Sequence, residues 1–201
     1  MKKHSLLSII FSIFFFAFCH AQELKPDTLV KDLDADQHPD SIFFDKKSSR
    51  IMCKLSGQGF QEINSKEIEN VELVMSGIRL QENGFEFFNN WMRAGYTCYF
   101  VYDKARKKIR LAAMSRYEFG NAANDGSGNS NINLINNQYT GNWNYYDEEK
   151  EKLLKMPVIK KMLKLPVTFL EDFSDQQVEQ YMFKCSDLYE TLKTKMRKSG
   201  S

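Results

Sequence analysis

Strict alternation of apolar and polar positions dominates the middle of the chain. Tyr96, Cys98, Phe100 and Tyr102 alternate with Thr97, Tyr99, Val101 and Asp103, so this run is apolar or aromatic on nearly both sides. It predicts a strand buried on two faces. Beyond the polar connection 103–107, Ile109, Leu111, Ala113, Tyr117 and Phe119 alternate with Lys108, Arg110, Met114, Arg116 and Glu118. That predicts an outer strand of the same sheet, the first set facing the core and the second facing water. Upstream, Ser41–Asp45 and Arg50–Leu55 read as a hairpin across the turn 46–49, with Ile51, Cys53 and Leu55 on one face. Ile68–Met75 reads as a further strand with Val71, Leu73 and Met75 aligned. Ile78 and Leu80 lead into Asn83-Gly84, a dipeptide suited to a tight turn that needs positive φ at both central positions, and Phe85, Phe87, Asn89 and Trp91 return.

From Gly120 to Asn144 the composition shifts to Asn, Gly and Ser, which predicts a long irregular loop holding one short strand at most. Compact domains rarely carry such a loop without use, so Asn131 and Asn133 are candidate partner-binding residues. The segment ends in Tyr139, Trp143 and Tyr145 spaced by small polar residues. Two readings stay open: an exposed surface that stacks on a sugar or anchors a protein partner, or the inward face of a strand. Met156–Met162 and Leu165–Leu170 each contain a proline and are assigned to sheet edges. Ser174-Asp175-Gln176-Gln177 fits a capping box, and Val178, Tyr181, Met182, Cys185, Leu188, Tyr189 and Leu192 follow at helical spacing. The expected fold is mainly β, an antiparallel β-sandwich of about eight strands over 31–173. An amphipathic helix over 174–196 docks on it or offers its apolar side to a partner, and 197–201 is a tail.

The start of the chain changes the setting. Lys2 and Lys3, the 13-residue mostly apolar run Leu6–Phe18, and Cys19-His20-Ala21 before Gln22 form the pattern of a secretory signal over 1–21, followed by a linker over 22–30. The run is too short to span a bilayer as a transmembrane segment. A lipid anchor on Cys19 wants a small residue before it, where Phe18 stands. The expected location is periplasmic or secreted. Cleavage removes Lys2 and Lys3 from 28 basic residues and none from 26 acidic ones, leaving a neutral mature chain. Its net charge therefore argues against nucleic acid and against an anionic membrane as partner. Cys53, Cys98 and Cys185 remain, an odd number that closes no disulfide framework; Cys53 and Cys98 either pair or stay as buried thiols.

The sharpest chemical signal is Lys31-Asp32-Leu33-Asp34-Ala35-Asp36-Gln37-His38-Pro39-Asp40. Aspartates stand at positions 1, 3, 5 and 9 of a loop, and His38 at position 7 contributes its carbonyl, a pattern suited to a hard cation with oxygen ligands. Ca2+ in a structural role is the expected cofactor, held by Asp32, Asp34, Asp36, His38 and Asp40; the competing reading is an acidic turn that caps its own backbone amides. Gln37 replaces the usual glycine and Phe43 stands where an EF-hand has its glutamate, so the loop feeds a strand rather than a helix.

The Asp-rich loop, the strand Tyr96-x-x-Tyr99-Phe100-Val101-Tyr102-Asp103, the strand Ile109-Arg110-Leu111 and the following Asn131–Tyr139 segment together resemble envelope β proteins related to the periplasmic inhibitors of I-type lysozyme. The resemblance covers about Asp32 to Asp172. Members often carry Ser-x-Asn-Tyr-x-Thr-Gly in this loop; Asn133 fits, while Asn131, Leu134, Asn136 and Asn137 depart. The resemblance implies an eight-stranded sandwich that blocks a lysozyme or lytic transglycosylase by inserting a loop. A calcium-stabilised glycan-binding or scaffolding domain is the alternative. An enzyme is disfavoured: His38, the one histidine of the mature chain, lies inside the aspartate loop, and no Gly-rich phosphate loop occurs.

Overall fold

The computed structural model describes residues 28–199. The expected signal peptide, most of the linker and the last two residues of the tail lie outside the described residues. The described chain forms twelve strands and one long helix. A four-stranded antiparallel sheet has the order β1 (Leu29–Lys31), β2 (Asp40–Asp45), β3 (Arg50–Lys54), β4 (Glu62–Asn64). An eight-stranded antiparallel sheet runs as a meander through β5 (Ser76–Gln81), β6 (Gly84–Asn90), β7 (Ala94–Asp103), β8 (Lys108–Glu118), β9 (Gly128–Asn133) and β10 (Gln138–Asp147). Strand β10 then pairs along its far side with β11 (Lys152–Lys155) and with β12 (Ile159–Met162). Helix α1 (Asp175–Ser199) follows and runs three residues past the expected end of the helix. No helix among the described residues is long and apolar enough to cross a membrane.

Both sheets feed one core. Ile42, Phe44, Ile51 and Cys53 of the small sheet join Phe85, Phe87, Cys98 and Phe100 of the large one, and the rings of Phe44 and Phe87 lie 5.0 Å apart. Helix α1 covers the other half of the same face: Tyr181 meets Tyr139 at 6.4 Å and Tyr189 meets Trp143 at 6.2 Å between ring centroids. The capping box is realised, because the Gln177 amide oxygen accepts from the Ser174 N–H at 2.8 Å and the Ser174 hydroxyl accepts from the Gln176 N–H at 3.4 Å. Cys53, Cys98 and Cys185 are free and buried; burial pushes the thiols of Cys53 and Cys98 well up, so they stay protonated and inert.

Several sequence expectations are corrected. The strand count is twelve rather than eight. Ile68–Met75 forms no strand, because side chains take the backbone partners a neighbour strand would have supplied. Asp175 accepts from the Glu69 and Asn70 N–H groups, and Asn89 accepts from the Glu72 N–H at 3.0 Å while donating to the Asn70 carbonyl at 2.7 Å. The turn between β5 and β6 is centred on Glu82 and Asn83, with Gly84 already paired to Gln81. Gly84 is needed there because a Cβ would stand 2.0 Å from the Phe100 carbonyl oxygen.

The fourth correction matters most for function. Opposite Tyr99 and Phe100 the register of β8 slips, leaving Ala112 as an extra residue. The alternation of β8 therefore reverses at this bulge. Ile109 and Leu111 point inward as expected, but beyond it Met114 and Arg116 are buried and Ala113, Tyr117 and Phe119 are turned to the outside. Strand β7 likewise is buried on one face only, with Thr97, Tyr99 and Val101 half-exposed.

Candidate functional site

Two polar constellations stand out, the aspartate loop and the outer face of the large sheet. In the loop, Ala35 and Gln37 adopt left-handed φ values of 63° and 71°, which coil the chain tightly. One carboxylate oxygen each from Asp32, Asp34 and Asp40 lies within 4.8 Å of the other two. Asp32 accepts from the N–H groups of Ala35, Asp36 and Gln37 at 2.8, 3.2 and 3.0 Å. Asp40 is fully buried and accepts from the Leu33 and Ser56 N–H groups at 2.7 and 2.8 Å. Asp36 turns instead to the Ser56 hydroxyl, at 2.9 Å, and to the His38 N–H, at 2.8 Å. The His38 ring is exposed, its Nδ1 3.1 Å from the Asp36 carbonyl oxygen. Gly57 seals the loop, because a Cβ there would stand 2.6 Å from Asp34 Oδ2.

Of the five expected ligands, the fold thus gathers three side chains and sends Asp36 elsewhere. The fit to a cation rests on Asp34. Its Oδ1 is buried with no hydrogen-bond donor among the described residues. Burial, and then the carboxylates of Asp40 and Asp36, hold its pKa above the usual carboxylate range. An orphaned acceptor amid like charges is what a hard cation relieves. The competing turn reading is also partly realised, since Asp32, Asp36 and Asp40 do cap loop amides. The two roles are compatible, because each carboxylate oxygen has a second lone pair.

The Asn-rich segment is irregular only over 120–127; from Gly128 onward it is the hairpin of strands β9 and β10. Its alternation sorts the expected partner-binding residues onto opposite faces. Tyr139, Trp143 and Tyr145 point inward and are 1, 3 and 4% exposed, so the inward reading of this trio is the one realised. The Trp143 indole N–H donates to the Tyr139 hydroxyl at 3.2 Å, and Gly141 leaves room for both groups. Asn131 and Asn133 point outward and are exposed. Asn133 also orders the hairpin tip, its side-chain oxygen accepting from the Ile135 and Asn136 N–H groups at 2.9 and 3.2 Å. Ile135 projects from that tip, 55% exposed.

The pairing register lays out the outer face in rows. Thr97, Ser115, Asn131 and Thr140 stand side by side across β7 to β10. Tyr99, Ala113, Asn133 and Gln138 form the row on one side, and Gly95, Tyr117, Asn129 and Asn142 the row on the other. Only Gly95 among these is buried, beneath the Tyr117 ring, whose Cε1 would lie 2.7 Å from a Cβ at that position. A ring laid flat over a cross-strand glycine turns its other face to water. None of these three rows of four carries a charge, in a chain whose residues are 27% charged. They carry amides, hydroxyls and two tyrosines. Asn129, Asn142 and Thr140 are not singled out by the sequence because the segment reads as a loop; the alternation of Ser130, Ile132 and Leu134 with asparagines was the available signal, while Tyr117, assigned to the core face, is turned out by the bulge at Ala112.

Comparison with known proteins returned no match among protein-family models, curated proteins or solved structures.

Proposed function

We propose that this chain is an exported, non-catalytic binding protein of the cell envelope that holds a glycan on the outer face of its large sheet. The observation that carries this reading is the block of uncharged amides and hydroxyls with tyrosine rings among them. Sugars present hydroxyls that exchange hydrogen bonds with such groups and C–H faces that stack on aromatic rings, and their uncharged ring faces call for no ion-pair partner within these rows. Export rests on the basic, apolar and small-residue pattern of residues 1–21. We read the two sheets as the layers of a β-sandwich, on the strength of their shared core, with Ca2+ between Asp32, Asp34 and Asp40 bracing the connection from β1 to β2. The ion would neutralise the mutual repulsion of these carboxylates and take no part in recognition.

A second reading follows from the hairpin tip. Ile135, held out by the Asn133 turn, is suited to entering a cleft of a peptidoglycan-cleaving enzyme such as a lysozyme or lytic transglycosylase, in keeping with the family resemblance. The deciding experiment is retention of the mature chain on insoluble cell-wall polysaccharide with no hydrolase present, compared with Asn131→Ala/Thr140→Ala and Ile135→Asp. Glycan binding predicts retention that the first variant loses and the second keeps. Slowed hydrolase digestion with no retention, lost in Ile135→Asp, would replace the glycan reading by the inhibitor reading.

A further inference from the structure

We infer that the glycan is anionic, its acidic groups seated on the lysine edge that borders the outer face; this rests on the glycan reading above. Between residues 152 and 170 the chain carries five lysines and no carboxylate. The fold delivers this segment to one edge of the large sheet as β11 and β12. Lys160 pairs with Thr140 and so ends the central uncharged row, while Lys155 pairs with Asn144 further along the same side of β10. At a strand rise of about 3.4 Å per residue, the two ammonium-bearing positions are roughly 14 Å apart along the edge. An open depression of ≈ 420 Å³ is lined by Gln138, Tyr139 and Thr140 of β10 and by Lys160, Lys161 and Met162 of β12.

No ion pair engages Lys155, Lys160, Lys161 or Lys164 among the described residues, although other lysines are paired. Lys108 meets Glu171 at 2.6 Å and Lys193 meets Asp125 at 2.6 Å. Lysines on an edge strand discourage strand addition from another chain. That role asks only for charge on the edge. It does not account for a depression shared with the hydroxyl- and amide-bearing row. A neutral surface ending in unpaired cations complements a hydroxyl-rich polymer with carboxylates or phosphates at intervals. The neutral net charge of the mature chain does not oppose this, because recognition is local at physiological ionic strength.

The test compares the mature chain on three probes, a neutral β-glucan, a polyuronate and a glycosylated polyol phosphate, at ionic strengths from about 0.05 to about 0.5 M. The expected result is affinity about tenfold higher for at least one acidic probe than for the neutral one, falling with salt. Lys155→Gln/Lys160→Gln should erase that margin at an unchanged melting temperature; the polyuronate and the phosphate polymer tell the two acid chemistries apart. Equal affinity for neutral and acidic probes, lowered alike by Asn131→Ala/Thr140→Ala, would overturn the lysine assignment and leave the glycan reading standing. Binding of none of the three would remove both. Acidic binding untouched by Asn131→Ala/Thr140→Ala, or matched by single-stranded DNA, would reduce the edge to an ion exchanger and also overturn the inference.

Discussion

The two faces of the large sheet are built from the same strands and are chemically opposite. On the inner face Tyr139, Trp143 and Tyr145 lie buried beneath α1, and even the polar groups are spoken for: Ser130 meets the Tyr181 hydroxyl at 2.8 Å. On the outer face Asn129, Asn131 and Asn133 stand exposed, and beyond an Asn142–Asn129 contact of 3.3 Å and the hairpin-tip N–H groups held by the Asn133 oxygen their amides face water. Burial demands satisfied partners and close packing; exposure leaves hydrogen-bonding capacity for another molecule. The inner face therefore holds the fold together and the outer face is free to recognise.

Substitutions can break this comparison. Trp143→Ala should have the largest effect, about 4 kcal/mol of stability and roughly a 10 °C drop in melting temperature, because it opens a cavity between β10 and α1. A loss under about 1 kcal/mol, seen by calorimetry, would mean that the helix does not seal this face. Next comes Asp125, which accepts from the Tyr146 N–H at 2.7 Å, the Tyr189 hydroxyl at 3.1 Å and Lys193 Nζ at 2.6 Å, and so ties α1 to β10. Burial works to raise its pKa, but these donors and the Lys193 charge outweigh it and hold the carboxyl below the usual range. A depressed folded value gives a contribution complete above the unfolded pKa and lost as pH falls through the folded one. Asp125→Asn should accordingly cost about 2 kcal/mol at neutral pH and flatten the decline in melting temperature as pH falls below about 4. An unchanged acid limb would show that the latch is not electrostatic.

The aspartate loop sharpens the comparison from a third side, as a polar cluster neither fully satisfied nor fully open. With its folded pKa raised, Asp34 favours folding when protonated, and that advantage disappears as pH rises through the folded value. In chelator, Asp34→Asn should gain a little stability, less than about 1 kcal/mol. Calcium should raise the melting temperature of the wild type and leave the variant unmoved; equal responses would take the ion out of the account. The smallest effect on stability belongs to the outer face. Asn131→Ala/Thr140→Ala should stay within about 0.5 kcal/mol of wild type while losing glycan retention. Destabilisation on the scale of Trp143→Ala would show that this face is not merely exposed.

The hairpin of β2 and β3, the pairing of β7 with β8 and the start of α1 were legible in sequence because each depends on local signals: alternation, a polar turn, a capping box. The outer face was legible only in Asn131 and Asn133. Asparagine reads as a loop former, yet on a solvated strand face its weak strand preference is outweighed by inward partners such as Ile132 and Trp143. The bulge at Ala112 left no local signature either. It moved Tyr117 outward and carried Arg116 beneath α1, where its guanidinium donates to Glu118 and stands 5.4 Å from the Trp143 ring. In the aspartate loop spacing brought out the candidates, but not which three carboxylates converge, nor that Asp36 turns to the Ser56 hydroxyl and the His38 N–H.

Strand β10 places neighbouring residues on opposite surfaces, and its pairing is continuous with β9 on one side and β12 on the other. Point changes at Thr140 or Asn142 can therefore alter the hydrogen-bonding groups of the outer rows at little cost to folding. Adding or deleting a single residue within this strand is another matter, since every side chain beyond it would trade sides and the aromatic ballast would surface. Descendants of this chain are free to vary the letters of the outer rows but not their number.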